Sequence, residues 1–181
     1  MRLIYLVGPP GSGKSTLMGA LIPTNWLRVF RDDQRMPRTE LFHADQLVGA
    51  ELGRHRKSFS GTDALAMNIH PVACRWIAAA HHPVVLGEGQ RLGTRGFVTS
   101  ALEAGRTVDL VWLDPPEEVC RSRREARGSR QSPQWVRAAT TRAARLAETV
   151  SELPGVRLHR INDHGSTQDI AQRLRVALEL L

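Results

Sequence analysis

A chain of 181 residues, 41% apolar and 24% charged, can bury a single-domain core without disulfides or structural metal, and no second folded domain is expected. Cys74 and Cys120 lie far apart at no metal-ligand spacing, and the apolar runs are short, which excludes a disulfide scaffold, a zinc module and a membrane span; a cytoplasmic location is expected. An excess of 25 Lys+Arg over 18 Asp+Glu gives a net charge of +7, which favours polyanionic partners but also suits an arginine-rich composition serving triphosphate chemistry.

In chain order, Leu3 to Val7 predicts a buried strand that runs into Gly8-Pro9-Pro10-Gly11-Ser12-Gly13-Lys14-Ser15, the phosphate-loop pattern. Gly8, Gly11 and Gly13 let consecutive N–H groups around Ser12 wrap phosphate oxygens. Lys14 would reach the β- and γ-phosphates and Ser15 would place its hydroxyl on Mg²⁺. Thr16 would lie in the first turn of a helix ending at Pro23, its positive end facing the same anion. Lys14 and Lys57 are the only lysines among 25 Lys+Arg residues, so lysine appears where the loop requires it. A bound nucleoside triphosphate, ATP with Mg²⁺, is the expectation.

Residues 25 to 45 carry no readable period, and Asp32 and Asp33 there suit either an exposed loop or an acceptor site. Gln46 to Gly53 predicts a short strand. A basic loop with Arg54, Arg56 and Lys57 follows, closing in Phe59-Ser60-Gly61-Thr62-Asp63, where a helix is expected to start, with Pro71 kinking or restarting it. Pro83 to Gly87 predicts a buried parallel strand that delivers Glu88, with Gln90 and Arg91 facing the same crevice. A helix from about Thr94 to Ala104, a strand from Val108 to Leu113 and a helix from Glu117 come next. Gly128 to Pro133 breaks that helix, and helical spacing resumes from Gln134 to Leu153. Val156 to Ile161 is the last strand, and Ser166 with Asp169 caps a closing helix to Leu181. The alternation implies an α/β fold of three layers: a parallel sheet of about five strands with helices on both faces and ligands at the strands' C-terminal ends.

Glu88, at the end of its strand, is placed to contact Mg²⁺ or its waters, or to act as a general base. The segment from about 121 to 137 forms an arginine-rich lid. Arg121, Arg124 and Arg127 share a broad helix face: Arg124 and Arg127 are the expected catalytic pair, Arg121 faces the nucleotide, and Arg123 is assigned to solvent. Asp33, Asp63 and Glu88 compete to deprotonate or orient the acceptor, and Asp63 could equally be a helix cap. Trp135, beside the lid, is a core residue or a stacking platform. The dispersed histidines show no metal-ligand spacing.

With these residues placed, the chain resembles the small P-loop kinases, the group of nucleoside, nucleotide, shikimate and gluconate kinases and polynucleotide kinase. The resemblance rests on Gly8 to Thr16, Val84 to Arg91, Leu110 to Pro116 with the following lid, and Val156 to Asn162. It implies transfer of a γ-phosphoryl group to a hydroxyl, with Asn162 to Ser166 bordering the adenine. Glu88-Gly89-Gln90-Arg91 departs from the acidic-Arg pair of deoxynucleoside kinases by two inserted residues. A narrower resemblance, in Phe59 to Leu65, the Gly87 to Leu92 run and the Trp135 segment, is to bacteriophage-type kinases of 5-hydroxymethyluracil in DNA. It implies a DNA partner, with Arg54, Arg56 and Lys57 on backbone phosphates beside Asp63. A free nucleoside or small metabolite is the alternative acceptor. A nucleotide switch is a further alternative, although no Asn-Lys-x-Asp guanine signature occurs.

Overall fold

A computed structural model describes residues 1–32, 36–54, 60–162 and 165–180. The centre of the fold is β1 (Arg2–Val7), whose residues after Arg2 are all buried, as a strand covered on both faces must be. It lies between β5 (Val84–Glu88) and β6 (Thr107–Leu113), and all three run parallel. The seven-stranded sheet has the order β2-β3-β4-β5-β1-β6-β7, with β7 at Val156–Ile161.

Seven strands replace the expected five. The parallel part, β4-β5-β1-β6-β7, does number five; the additions are β2 (Leu27–Arg31) and β3 (Arg38–His43), joined antiparallel to each other and to β4 (Gln46–Leu52). Both fall in the stretch without a readable period, for a physical reason. In β3 only Thr39 and Leu41 are buried, and the strand also carries Glu40, which pairs with both Arg38 and Arg31. In β2 nearly every residue is exposed. Cross-strand charge pairs and main-chain bonds stabilise this meander, not apolar alternation.

Helices cover both faces. On one side α2 (His70–Ala79), α3 (Arg95–Glu103) and α5 (Pro133–Ser151) enclose Tyr5, Ile77, Phe97, Leu110 and Leu146. On the other, α1 (Lys14–Leu21) and α6 (Thr167–Ala177) enclose Ile4, Leu6, Met18, Val111 and Leu174. The helix expected at Asp63 is instead a single 3₁₀ turn, Gly61–Ala64, and α2 starts at His70. Pro71 stands in its first turn, where a missing N–H breaks no helical bond, so it starts the helix and does not kink it. The lid contains α4 (Glu117–Ala126), a turn through Gly128, and the N-terminus of α5, where the Ser132 hydroxyl accepts from the Trp135 N–H at 3.2 Å. At α6 the Ser166 hydroxyl accepts from the Asp169 N–H at 3.1 Å, as the cap signature predicts. Among the described residues, no helix is long and apolar enough to cross a membrane.

Candidate active site

From β5 on one side of β1 the chain crosses to β6 on the other, so the C-terminal ends of these strands open a crevice at the switch in direction. Gly8 to Gly13 occupy that point, and α1 begins at Lys14. Lys14 Nζ donates to the carbonyls of Gly8 at 3.0 Å and Pro9 at 2.9 Å. Burial lowers the Lys14 pKa, against the opposing pull of the negative charges at Glu88 and Asp63. The Ser15 hydroxyl donates to Glu88 Oε1 at 2.9 Å, and Ser60 Oγ donates to Ser15 Oγ at 3.0 Å. Burial raises the Glu88 pKa, with Lys14 and the Ser15 hydrogen bond acting the other way.

Asp63 is not a helix cap. Its Oδ1 accepts from the backbone N–H groups of Gln90 at 2.8 Å and Arg91 at 2.9 Å, so the carboxylate shapes the loop that follows Glu88. The same turn is held from below. Thr62 Oγ1 donates to the Glu88 carbonyl at 2.8 Å, and the buried Tyr5 hydroxyl bonds Thr62 Oγ1 at 2.9 Å and donates to the Gly89 carbonyl at 3.1 Å. Gln90 Nε2 reaches back to the Gly8 carbonyl at 3.3 Å. Glu88, Asp63, Gln90 and the phosphate loop therefore form one hydrogen-bonded floor.

Above that floor opens a cleft of about 700 Å³. Lys14, Ser15, Asp63, Glu88 and Gln90 line one side; Arg127, Arg130 and Trp135 line the lid side. Trp135 is 40% exposed, which removes it from the core. A smaller cavity of about 50 Å³ lies between α1 and the last loop, lined in part by Gly13, Arg123, Ile161 and Gly165, beside the segment implied to border adenine.

The other expected site residues are distributed less simply. Arg124 lies against the phosphate loop, donating to the Pro10 carbonyl at 2.7 Å and to Glu117 at 2.6 Å. Arg123, assigned to solvent from the sequence, donates to the Ser12 carbonyl at 3.2 Å. Arg121 is exposed and outside the cleft lining. Arg91 is turned away, donating to the Asp63 carbonyl at 3.2 Å and to the Met67 sulfur. Arg54 pairs with Asp32. Asp33, Arg56 and Lys57 lie outside the described residues. Sequence reasoning missed Ser60, Thr62 and Tyr5, because a hydroxyl in a turn and a tyrosine in a buried strand carry no motif of their own.

Comparison with known proteins agrees with this geometry. The P-loop Nucleotide Kinase3 family matches residues 1–171. Ribose 1,5-bisphosphate phosphokinase PhnN of Pseudomonas paraeruginosa (strain DSM 24068 / PA7) is 30% identical over 182 residues, covering 96% of this chain and 92% of that protein. Among solved structures, a sugar kinase from Janibacter sp. HTCC2649 shares 16% identity at a TM-score of 0.50, covering 99% of this chain and 95% of its own, a likeness of fold alone. Shikimate kinase from Acinetobacter baumannii shares 18% identity at a TM-score of 0.47, covering 99% of this chain and 94% of its own. The family match runs from the first residue into α6 and so takes in the phosphate loop, Glu88 and the lid alike: this chain is a P-loop kinase of the P-loop Nucleotide Kinase3 family.

Proposed function

We propose that this kinase transfers the γ-phosphoryl group of ATP, with Mg²⁺, to a small acceptor that already carries a phosphate, a phosphorylated sugar being the class that suits the site best. The observation that carries the reading is the cleft itself. Its floor holds Lys14, Ser15 and Glu88 for the donor, and its lid side presents Arg127 and Arg130, both exposed. Opposite them stand Asp63 and Glu88, held by backbone N–H groups and by Ser15, so that Lys14, Arg127 and Arg130 against these two carboxylates leave the lining net positive. Such a cleft favours an anionic substrate.

The oxygen set around Ser15 fits Mg²⁺. Ser15 Oγ and Glu88 Oε1 lie 2.9 Å apart with Ser60 Oγ beside them, hard ligands without nitrogen or sulfur, and a buried carboxylate is stabilised by a cation. Ser15 and Glu88 would hold the ion, which when bound neutralises charge on the β- and γ-phosphates. Lys14 would leave the Gly8 and Pro9 carbonyls for the phosphates, and Arg127 would meet the charge on the transferring group. An acceptor phosphate is already ionised and needs no base; an acceptor hydroxyl would be oriented by Asp63, whose Oδ1 is held in place.

Transfer to hydroxymethyluracil in DNA, the acceptor implied by the narrower resemblance, is not supported. The relative with near full-length coverage is named for a ribose bisphosphate, which favours the small-molecule alternative. The test is release of ADP on mixing enzyme and ATP with ribose phosphates, nucleoside monophosphates, unphosphorylated ribose, or duplex DNA containing hydroxymethyluracil. Turnover is expected with phosphorylated small molecules and lost in Lys14→Ala. Turnover with the DNA alone, or with neutral ribose in preference to its phosphates, would sink the proposal.

A further inference from the structure

Two arginines at the C-terminal end of α4, Arg124 within it and Arg127 just past it, stand in different surroundings. Arg127 is exposed, lines the cleft, and among the described residues donates to the Arg123 carbonyl one turn back, at 3.2 Å. Arg124 faces away from the cleft's interior. Its side chain is 11% exposed, and its two guanidinium arms are divided between the Pro10 carbonyl of the phosphate loop at 2.7 Å and Glu117, at the start of α4, at 2.6 Å.

The contact around Arg124 is close as well as polar. Gly11 has φ of 89°, and a Cβ built there would run into the Cys120 carbonyl and lie 3.1 Å from Arg124 Cγ, so loop and helix meet backbone to backbone. Cys120 beneath is fully buried. Arg123 adds a second tie at the Ser12 carbonyl. Together these contacts take up carbonyls that must point away from a bound triphosphate if the loop's N–H groups are to point toward it.

We propose that Arg124 is a positioning residue: it bolts α4 to the phosphate loop and acts on phosphate binding through Pro10 and Gly11, while Arg127 alone of the pair meets the transferring phosphoryl group. This rests on the kinase reading above and divides the pair expected from the sequence. A strut that shapes the loop supports ground state and transition state alike and so changes binding; a group that meets developing charge changes kcat.

The experiment compares Arg124→Ala, Arg127→Ala and the exposed Glu117→Gln, each checked for a native circular dichroism spectrum. Affinities for ADP, a non-hydrolysable ATP analogue and ADP with aluminium fluoride are measured beside kcat and KM. Arg124→Ala is expected to weaken all three ligands by the same factor, about tenfold for loss of one charge-assisted hydrogen bond, and to raise KM for ATP with kcat little changed. Glu117→Gln, which frees the second arm, should move the same quantities in the same direction by less. Arg127→Ala is expected to lose the aluminium fluoride complex and kcat while keeping ADP. Loss of the aluminium fluoride complex in Arg124→Ala with ADP binding intact would place Arg124 on the transferring group and overturn the proposal. Unchanged binding of every ligand in Arg124→Ala would overturn it too. Failure of the unaltered protein to bind ADP would instead refute the kinase reading.

Discussion

The carboxylates of Asp63 and Glu88 are crossed: each rests over a glycine from the other's loop. A Cβ on Gly61 would run into the Glu88 carboxylate, and one on Gly89 would lie 2.8 Å from Asp63 Cγ. Both glycines have positive φ, 63° and 115°, so a side chain there is strained as well as obstructed. Gly89→Ala should therefore cost about 1–3 kcal/mol, each kcal/mol lowering the melting temperature by about 2–4 °C, and should cut turnover by more than the stability loss explains. Gly19 is the control. Nothing lies within 4 Å of its hypothetical Cβ and it stands inside α1, so Gly19→Ala should stabilise by about 0.5–1 kcal/mol with activity kept. Thermal unfolding of both variants distinguishes them.

Glu88 should trade stability for function. Burial raises its pKa above the ordinary 4.5, so ionising it costs folding free energy. That cost is absent below pH 4.5, where the carboxyl is protonated in both states, and grows as pH rises through the folded value. Glu88→Gln is expected to melt above the unaltered protein at pH 8, with the gap closing toward pH 4, and to lose phosphoryl transfer. A lower melting temperature for Glu88→Gln at pH 8 would contradict the assignment.

Asp109 behaves in the opposite sense. It is fully buried on β6 and accepts from His159 at 2.8 Å and from Arg157 at 2.9 and 3.1 Å, with Arg2 Nε 3.4 Å away. Burial pushes its pKa up, but the hydrogen bonds from His159 and Arg157 prevail and hold it below the ordinary 3.8. Its contribution is therefore present above pH 3.8 and lost as pH falls through the folded value. Asp109→Asn should cost about 2–3 kcal/mol at pH 7, less than a fully buried pair because Arg157 is half exposed. Denaturant titrations at pH 7 and pH 3 should show the deficit shrinking in acid.

Trp135 gives an optical test of the acceptor site. It lines the cleft 40% exposed at the start of α5, so an acceptor binding beside it should change its fluorescence. Trp135→Phe should keep most activity, whereas Trp135→Ala should raise KM for the acceptor several-fold and leave KM for ATP unchanged, in line with about 1 kcal/mol for a lost aromatic contact. Equal changes in both constants would place Trp135 outside the acceptor site.

The donor half of the site was legible because local chemistry dictates it: the Gly8 to Ser15 loop needs its glycines and lysine in fixed order, and a hydrophobic strand must precede it. Glu88 was legible for a related reason, since a buried run ending in a carboxylate reads as a parallel strand with its acid at the crevice. For Asp63 the sequence leaves a helix cap and an acceptor carboxylate open, because its partners, the N–H groups of Gln90 and Arg91, lie far along the chain, and no local pattern records such a bond. Arg123 is exposed, as a solvated helix face implies, and its added bond to the Ser12 carbonyl is likewise too distant in sequence for a local pattern to show. The β2-β3 meander stays open in the sequence because its stabilising pairs, Arg31 and Arg38 with Glu40, are charges that leave no apolar period to read.

The sheet is open, ending in β2 on one side and β7 on the other. An open edge offers unpaired main-chain groups to any second strand, and charged side chains along it are the usual protection. Arg28 and Arg31 stand on β2, Arg157 and Arg160 on β7, and all four are exposed. The arginines thus have a task at the perimeter of the fold: bulky, hydrated guanidinium groups along both edges oppose the joining of two such edges, and colloidal solubility at high concentration should fall as these four arginines are replaced by apolar residues.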